Sequence, residues 1–478
     1  MPFQIEDGVL LMYTPEPDET DVIIPDGVTE IGTGAFALND QLRSIRMPNS
    51  VTKIGNAAFM ECDSLQTVVL PEGLKSISDE AFSGCYCLAK CQIPESVTEI
   101  GRQAFCNCRS LSKITLPKGI IRIEEEAFSM CTGLKEIVIP DGVTVIEKES
   151  FYACMKLSRV VLPKNLTRIE EDAFNQCEKL TEITIPDGAT EIGESAFQYC
   201  KFLRRIRFPN SLKKIGDWAF AECSCLESIV LPDGLEHIGS NAFSDCYSLT
   251  EAVIPESITE LPDNVFSCDE ELRMIQFPKN LKNIGNRAFE GCSSLESIVL
   301  PEGLEYIGSG AFSSCYRLTE VMIPESVTEL PDDAFVWIKE FPAFRQLVND
   351  PAIVRKYIQY GVNDIRKGLE MLRTEDYAKS ISPKIKYPFL AMHYLHTHDP
   401  RLAIYIRDDL GSFMYELIPN GVVQFVAELA EAGDYFTAKN IDKFIQRAQD
   451  TEQIEIFMFL LNYKNTHFGF EAPEPMRL

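Results

Sequence analysis

A proline recurs every 23 residues through most of this chain. Fourteen prolines follow this step from Pro25 to Pro324, and fourteen phenylalanines follow it from Phe36 to Phe335, without insertion or deletion. A fixed period of about 20 to 50 residues is the sequence signature of a solenoid, in which each repeat packs on its neighbours. The period therefore predicts a long, regular surface built from copies of one short unit.

The repeat at residues 62–85 shows how one unit is expected to fold. Val68 and Leu70 alternate with Thr67 and Val69, which predicts a short strand with one buried and one outward side. Pro71 ends the strand, because proline has no N–H to donate to a ladder. Stacked copies predict a parallel sheet of about fourteen strands spaced ~4.8 Å apart, with the phenylalanines in the core. The fold class is therefore an α/β solenoid.

The consensus C-x-x-L-x-x-I-x-L-P-x-G/S-V-T-x-I-G-x-x-A-F resembles the BspA-like class of leucine-rich repeat. The pattern covers Asp21 to Phe335 and recurs fourteen times with local departures. Residues 3–10, with Asp7-Gly8 as a turn, also look like the N-terminal hairpin cap of that family. The resemblance implies a non-enzymatic binding scaffold, known in the family as surface adhesion or host-interaction modules. It implies no particular ligand.

Composition and period divide the chain into three segments. Residues 1–20 are expected to form an N-terminal β-hairpin cap, and residues 21–340 a solenoid of about fourteen leucine-rich repeats. Residues 341–478 lose both the period and cysteine, and apolar residues recur there at three- and four-residue steps, as in 422–430 and 441–448. This spacing predicts an all-α domain. Its later part resembles ankyrin-like helix pairs.

The net charge of −27 is concentrated in the repeats. From Val336 onward the chain holds 17 Lys+Arg and 19 Asp+Glu, which leaves 28 and 53 for residues 1–335. A field of this sign repels nucleic acid and anionic lipid, so nucleic acid is not expected as a partner. No apolar run approaches the ~18 residues of a membrane span, so membrane insertion is not expected either.

All 16 cysteines lie in the repeats, and eleven of them follow the repeat phenylalanine by three residues. Zinc sites use ligand pairs two to four residues apart, so the sequence favours buried structural cysteines over metal ligands. Disulfides between neighbouring repeats are the other alternative. Many unpaired cysteines and the absence of a signal peptide in the first residues favour a cytoplasmic location. A secreted or cell-surface location stays open if a leader was removed.

The residues two and four positions before each proline are expected to point away from the core. They form the candidate partner-binding face, which comprises Arg46, Val69, Lys90, Lys113, Val138, Arg159, Val161, Arg205, Arg207, Val230, Val253 and Val299. Two interpretations fit these residues. Valine suits any sheet and basic residues solubilise its exposed side. Alternatively, the face is a binding strip with apolar contacts and basic anchors for a peptide or an acidic partner.

No motif in the chain predicts catalysis. The sequence shows no nucleophile–base pair and no phosphate-binding glycine loop, so neither an enzyme nor a catalytic, cofactor or metal residue is predicted. The cluster of His393, His396 and His398 fits a helix end, with zinc binding as the alternative. The leading hypothesis is a non-enzymatic scaffold that presents its sheet face to a protein or peptide. The alternative is an extracellular adhesin that binds host proteins or glycans.

Overall fold

The computed structural model describes the repeats and most of the helical region. The described residues are 2–318, 320–322, 324, 326–327, 331, 334–335, 371, 377, 381, 383–420 and 423–469. The chain forms two compact units, Met1–Leu295 with Pro301–Leu304, and Glu296–Leu300 with Glu305–Leu478. The domain boundaries expected after residues 20 and 340 stay predictions, and residues 336–340 lie outside the described part.

The first unit begins with an antiparallel hairpin of β1 (Phe3–Glu6) and β2 (Val9–Tyr13). Asp7 and Gly8 form the turn with φ of 49° and 80°, a left-handed conformation that glycine adopts freely and aspartate more readily than most residues. Tyr13 stacks on Phe36, with ring centroids 4.9 Å apart. The hairpin therefore covers the first ring of the phenylalanine column.

Each repeat contributes a three-residue strand just before its proline. These strands are β3 (Asp21–Ile23), β5 (Ser44–Arg46), β7 (Thr67–Val69), β9 (Lys90–Gln92), β11 (Lys113–Thr115), β13 (Glu136–Val138), β15 (Arg159–Val161), β17 (Glu182–Thr184), β19 (Arg205–Arg207), β21 (Ser228–Val230), β23 (Glu251–Val253), β25 (Met274–Gln276), β27 (Ser297–Val299) and β29 (Glu320–Met322). Paired neighbours are parallel and in register, as where Ile45 lies opposite Val68. We call the outward side of β3 to β25 the sheet face.

A second set of two-residue strands lies on the other side of the coil. They are β4 (Glu30–Ile31), β6 (Lys53–Ile54), β8 (Ser76–Ile77), β10 (Glu99–Ile100), β12 (Arg122–Ile123), β14 (Val145–Ile146), β16 (Arg168–Ile169), β18 (Glu191–Ile192), β20 (Lys214–Ile215), β22 (His237–Ile238), β24 (Glu260–Leu261), β26 (Asn283–Ile284) and β28 (Tyr306–Ile307). Neighbouring coils approach closely here. A Cβ at Gly239 would lie 2.3 Å from the backbone nitrogen of Asp217, so only glycine fits that contact.

The phenylalanine column fills the core between the two sets of strands. From Phe36 to Phe289 each ring stacks on the next, with centroids 5.0 to 5.6 Å apart. The backbone N–H of Phe59 donates to the carbonyl of Ala81 in the following coil at 2.8 Å, and equivalent bonds recur along the unit. In the second unit Phe312 stacks on Phe335. The predicted parallel-sheet solenoid with a period of about 23 residues is confirmed.

The cysteines that follow the phenylalanines form a buried ladder. The Sγ of Cys62 lies 3.1 Å from the carbonyl oxygen of Phe36 in the preceding coil, and the contact recurs as far as Cys292 and Phe266. Burial raises the pKa of the Cys62 thiol to about 12, so the thiol stays protonated and donates. All sixteen cysteines are free in the structure. The ladder cysteines therefore act as small core side chains with a weak donor.

Asp269 replaces a ladder cysteine in the repeat that contains Pro262. Its Oδ1 accepts a hydrogen bond from the backbone N–H of Cys246 at 2.8 Å, whereas Oδ2 has no partner among the described atoms. Desolvation raises the pKa of Asp269 well above its usual range. Near Pro262 the ladder of two-residue strands is interrupted between β22 and β24, while the rings of Phe243 and Phe266 stay stacked.

The helical region belongs to the second unit, and the all-α prediction is confirmed there. Its described helices are α1 (Pro383–Thr397), α2 (Pro400–Asp408), α3 (Leu410–Leu417), α4 (Val423–Glu431), α5 (Ile441–Asp450) and α6 (Ile454–Phe468), with a 3-10 turn at Ile418–Asn420. Asp399 caps α2 by accepting a hydrogen bond from the backbone N–H of Arg401 at 2.9 Å. Its carboxylate also accepts one from the hydroxyl of Tyr377 at 2.6 Å. Within the described part of the chain, every helix is too short or too polar to span a bilayer.

Candidate binding face and groove

The twelve residues of the candidate partner-binding face all lie on three-residue strands, and all are exposed. Val299 belongs to the second unit and the other eleven to the first. The side-chain period of two explains their exposure: the middle residue of each strand turns inward, as Ile137 does between Glu136 and Val138. Val230 is the most exposed valine of the sheet face, at 76%.

Four of the five outward valines of the sheet face form two pairs, each pair on neighbouring strands. Val138 lies opposite Val161 on β13 and β15, and Val230 lies opposite Val253 on β21 and β23. Thr184 and Arg207, which also lie opposite each other, occupy the two strands between the pairs. The sheet face therefore presents two apolar patches with polar and basic side chains between them.

Two of the expected basic anchors share one carboxylate. The Nζ of Lys113 lies 3.8 Å from Oε1 of Glu136, and Nη1 of Arg159 lies 4.0 Å from Oε2 of the same residue. Glu182 follows in this column and lies opposite Arg205. The column thus alternates in sign, so much of its charge is balanced within the face.

Arg205 and Arg207 differ from these anchors. Both are exposed on β19. Among the described residues, no carboxylate oxygen lies within 4.0 Å of either guanidinium group, so neither arginine forms an ion pair there. Residues two apart on an extended strand point to the same side about 6.8 Å apart. β19 therefore presents two guanidinium groups, both available to an external anion.

A groove of about 790 Å³ opens in the sheet face over β15, β17 and β19. Its lining comprises Ser158, Arg159, Val160, Val161, Leu162, Lys164, Thr181, Glu182, Ile183, Thr184, Pro186, Arg205 and Arg207. The groove lies where the sheet divides into one ladder of β13 with β15 and another of β17 with β19. Val160 and Ile206, the middle residues of β15 and β19, are correspondingly half-buried, whereas Ile137 is buried. We call this feature the sheet-face groove.

Several groove residues were not among the sequence candidates. Lys164 is the clearest case, and it follows Pro163 in a column that is otherwise mostly acidic. That reversal of charge is visible in the sequence and could have identified Lys164 as a candidate. In the structure the Nζ of Lys164 lies 3.5 Å from Asp141, and the backbone N–H of Lys164 also donates to Asp141, which lowers the pKa of that carboxyl. Glu182 gave no such signal, since glutamate is frequent in the repeats.

The histidine cluster lies at the end of α1. His393 is inside the helix and half-buried, while His398 follows the last turn with its Nε2 3.1 Å from Oε2 of Glu428. The side chain of His396 lies outside the described residues. Within the described ranges, no three His, Cys, Asp or Glu side chains are grouped to hold a metal ion. The histidine cluster therefore lies where the helix-end interpretation expects it.

The repeats match a known protein family and several solved structures. A model described as the BspA type leucine-rich repeat region (6 copies) matches residues 18–135, 98–227 and 213–340. A leucine-rich repeat protein from Bacteroides ovatus ATCC 8483 is 30% identical with a TM-score of 0.54, over 68% of this chain and 87% of that chain. Comparison with curated proteins gave no match.

Two further solved structures match with lower TM-scores. A leucine rich cell surface protein from Faecalibacterium prausnitzii A2-165 is 30% identical over 65% of this chain and 89% of that chain, with a TM-score of 0.42. The pneumococcal vaccine antigen PcpA is 20% identical over 64% of this chain and 90% of that chain, with a TM-score of 0.40. The family model and the Bacteroides protein carry the assignment. The chain belongs to the BspA-type leucine-rich repeat family.

Proposed function

We propose that this protein is a non-enzymatic interaction scaffold whose sheet face binds a protein or peptide. Membership of the family implies a protein-interaction or adhesin role, and leucine-rich repeat solenoids are typically non-catalytic. One observation carries the proposal to this face: the sheet-face groove includes Val161 of one exposed valine pair, lies beside the other pair, and contains two arginines that form no ion pair with a described residue. Apolar contacts combined with oriented charges are what a binding surface requires.

The chemistry of the cysteines bears on where the scaffold works. All sixteen are free, and thiols persist in reducing compartments, which supports a cytoplasmic location. The competing proposal is an extracellular adhesin, because BspA-type proteins are often secreted or surface-located. Protease treatment of intact native cells separates the two: loss of the full-length chain supports the adhesin, and survival until lysis supports the scaffold.

Residues 341–478 are proposed as a separate helical module of the scaffold.

Site-specific photo-crosslinking tests whether the sheet face binds. A photoreactive residue is placed at Val230 on the sheet face or, as a matched control, at Ile121 beside β12, which is 60% exposed. Incubated with an extract of the native organism, the Val230 variant is expected to yield a discrete crosslinked partner and the Ile121 variant none. Arg159→Glu/Arg205→Glu/Arg207→Glu is expected to abolish the crosslink at Val230 without lowering Tm, since these side chains are exposed. Equal crosslinking at both positions contradicts the proposal.

A further inference from the structure

We infer that the sheet-face groove recognises a short, extended acidic segment whose carboxylate side chains, two residues apart, pair with Arg205 and Arg207. The inference rests on the proposed function and adds the chemistry of the partner. It follows from three properties of the groove: the sign of its charge, the spacing of its arginines and the side chains that it lacks.

The charge of the groove opposes that of the chain. Its lining holds the four cations Arg159, Lys164, Arg205 and Arg207 against the single carboxylate of Glu182, in a protein with a net charge of −27. Arg159 and Lys164 already lie near carboxylates of the preceding coil. Arg205 and Arg207 are therefore the lining cations that form no ion pair with a described residue, although Glu182 lies opposite Arg205. A guanidinium group binds a carboxylate with two parallel hydrogen bonds, so this pair suits a ligand with carboxylate side chains.

The spacing of the two arginines selects an extended ligand. Their Cα atoms are two residues apart on β19, about 6.8 Å along the strand. An extended peptide has the same rise, so its side chains at i and i+2 point to one side with the same spacing. A segment that lies along β19 with acidic residues at i and i+2 therefore meets both guanidinium groups. Val161 on β15 is the outward-facing aliphatic side chain of the groove, whereas Val160 and Ile183 turn inward beneath it.

The lining disfavours nucleic acids and acidic glycans. It contains no aromatic side chain, whereas grooves that hold single-stranded nucleic acid stack its bases on aromatic rings. Sugar rings of acidic glycans also commonly stack on such rings. The acidic surroundings further repel a long polyanion, since a solenoid segment with 53 Asp+Glu against 28 Lys+Arg surrounds the groove. A short peptide with only two carboxylates fits the local charge without meeting this field over its whole length.

Two peptides of identical composition test the spacing. Capped, fluorescently labelled Gly-Ser-Glu-Val-Glu-Ser-Gly has glutamates at i and i+2, whereas Gly-Ser-Glu-Glu-Val-Ser-Gly has them at i and i+1. Fluorescence anisotropy with the full-length protein at low salt is expected to show about five-fold tighter binding of the first peptide, because only there do both carboxylates face the protein. Equal affinities would overturn the inference.

Matched charge reversals test the residues. Arg205→Glu/Arg207→Glu is expected to weaken binding of the first peptide by at least about ten-fold, the loss that follows removal of two charge-assisted contacts. Arg122→Glu/Arg168→Glu makes the same change in net charge on β12 and β16, and is expected to bind as the wild type. Arg205→Lys/Arg207→Lys keeps the charge but not the paired hydrogen bonds, so it should reduce the preference for the first peptide.

Several results would contradict the inference. An equal loss in both charge reversals would mean that the peptide responds only to the overall field. Displacement of the peptide by a galacturonate trisaccharide at lower concentrations than by unlabelled peptide would assign the groove to an acidic glycan. If the peptides fail while the Val230 crosslink forms, only the acidic-segment inference fails. If both fail, the sheet face is not the binding surface.

Discussion

At the scale of single residues, the cysteine ladder shows what happens when one rung changes its chemistry. Asp269 occupies a position that is a cysteine in most other repeats. Its Oδ2 is buried and has no hydrogen-bond partner among the described residues. Its pKa is raised in the folded state, so the folded protein holds this proton more tightly than the unfolded chain does. Stability therefore falls as pH rises from the ordinary aspartate range toward the raised pKa, and is greatest below that range.

Asp269→Cys restores the repeat and is expected to stabilise the protein at pH 7. The gain should be about 1–3 kcal/mol, the usual cost of leaving a buried polar group unsatisfied. It should shrink as pH falls below about 4, where the Asp269 carboxyl becomes protonated in the unfolded chain as well as in the folded protein. Chemical denaturation at several pH values measures this, with Asp63→Asn as an exposed control that should show neither effect. A less stable Asp269→Cys protein at pH 7 would contradict the role assigned to this carboxyl.

At the scale of elements, the phenylalanine column joins the coils of the first unit. Phe174 is fully buried and stacks on Phe151 and Phe197 at 5.3 Å in each direction. Its backbone N–H also donates to Ala196 in the next coil, at 2.8 Å. One residue thus supports both ring packing and the backbone contact between coils, and its removal affects the coils on both sides.

Phe174→Ala is expected to lower the free energy of unfolding by about 3–5 kcal/mol, because the rings on either side cannot close the cavity. Phe202→Ala is the matched control, since Phe202 is 41% exposed and its ring lies outside the column, with the Nζ of Lys179 4.0 Å from its centroid. That control should lose about 1 kcal/mol or less. Urea denaturation compares the two variants. Similar losses would mean that the column adds no more stability than a surface ring.

These elements differ in how far the sequence predicts them. The strand before each proline and the buried phenylalanine follow from a period that nothing interrupts. Tyr13 was missed as part of the column, because it lies in the hairpin and not in a repeat. The sheet-face groove was missed because it depends on where the ladder divides between β15 and β17. That division depends on how neighbouring strands pair, which the side chains of a single repeat do not encode.

At the scale of the whole molecule, coils contact mainly the coils before and after them, so stability is expected to be nearly additive along the array. Deleting residues 94–116, one full period of 23, joins Ile93 to Pro117 and keeps every column in register. The shortened protein should retain a cooperative unfolding transition and a wild-type circular dichroism spectrum per residue. Deleting residues 94–105 shifts the register and should abolish that transition. Equal behaviour of the two deletions would contradict a coil-by-coil architecture.

The even spacing of the rungs also limits how long a ligand the sheet face can follow. Strands repeat about every 4.8 Å, whereas same-side residues of an extended peptide repeat about every 6.8 Å, so a peptide crossing the strands coincides with a rung only every seven coils or so. A peptide running along one strand meets only three residues. Because the two spacings do not match, a longer peptide gains few further aligned contacts. The sheet face therefore discriminates best among short motifs, however many coils the solenoid contains.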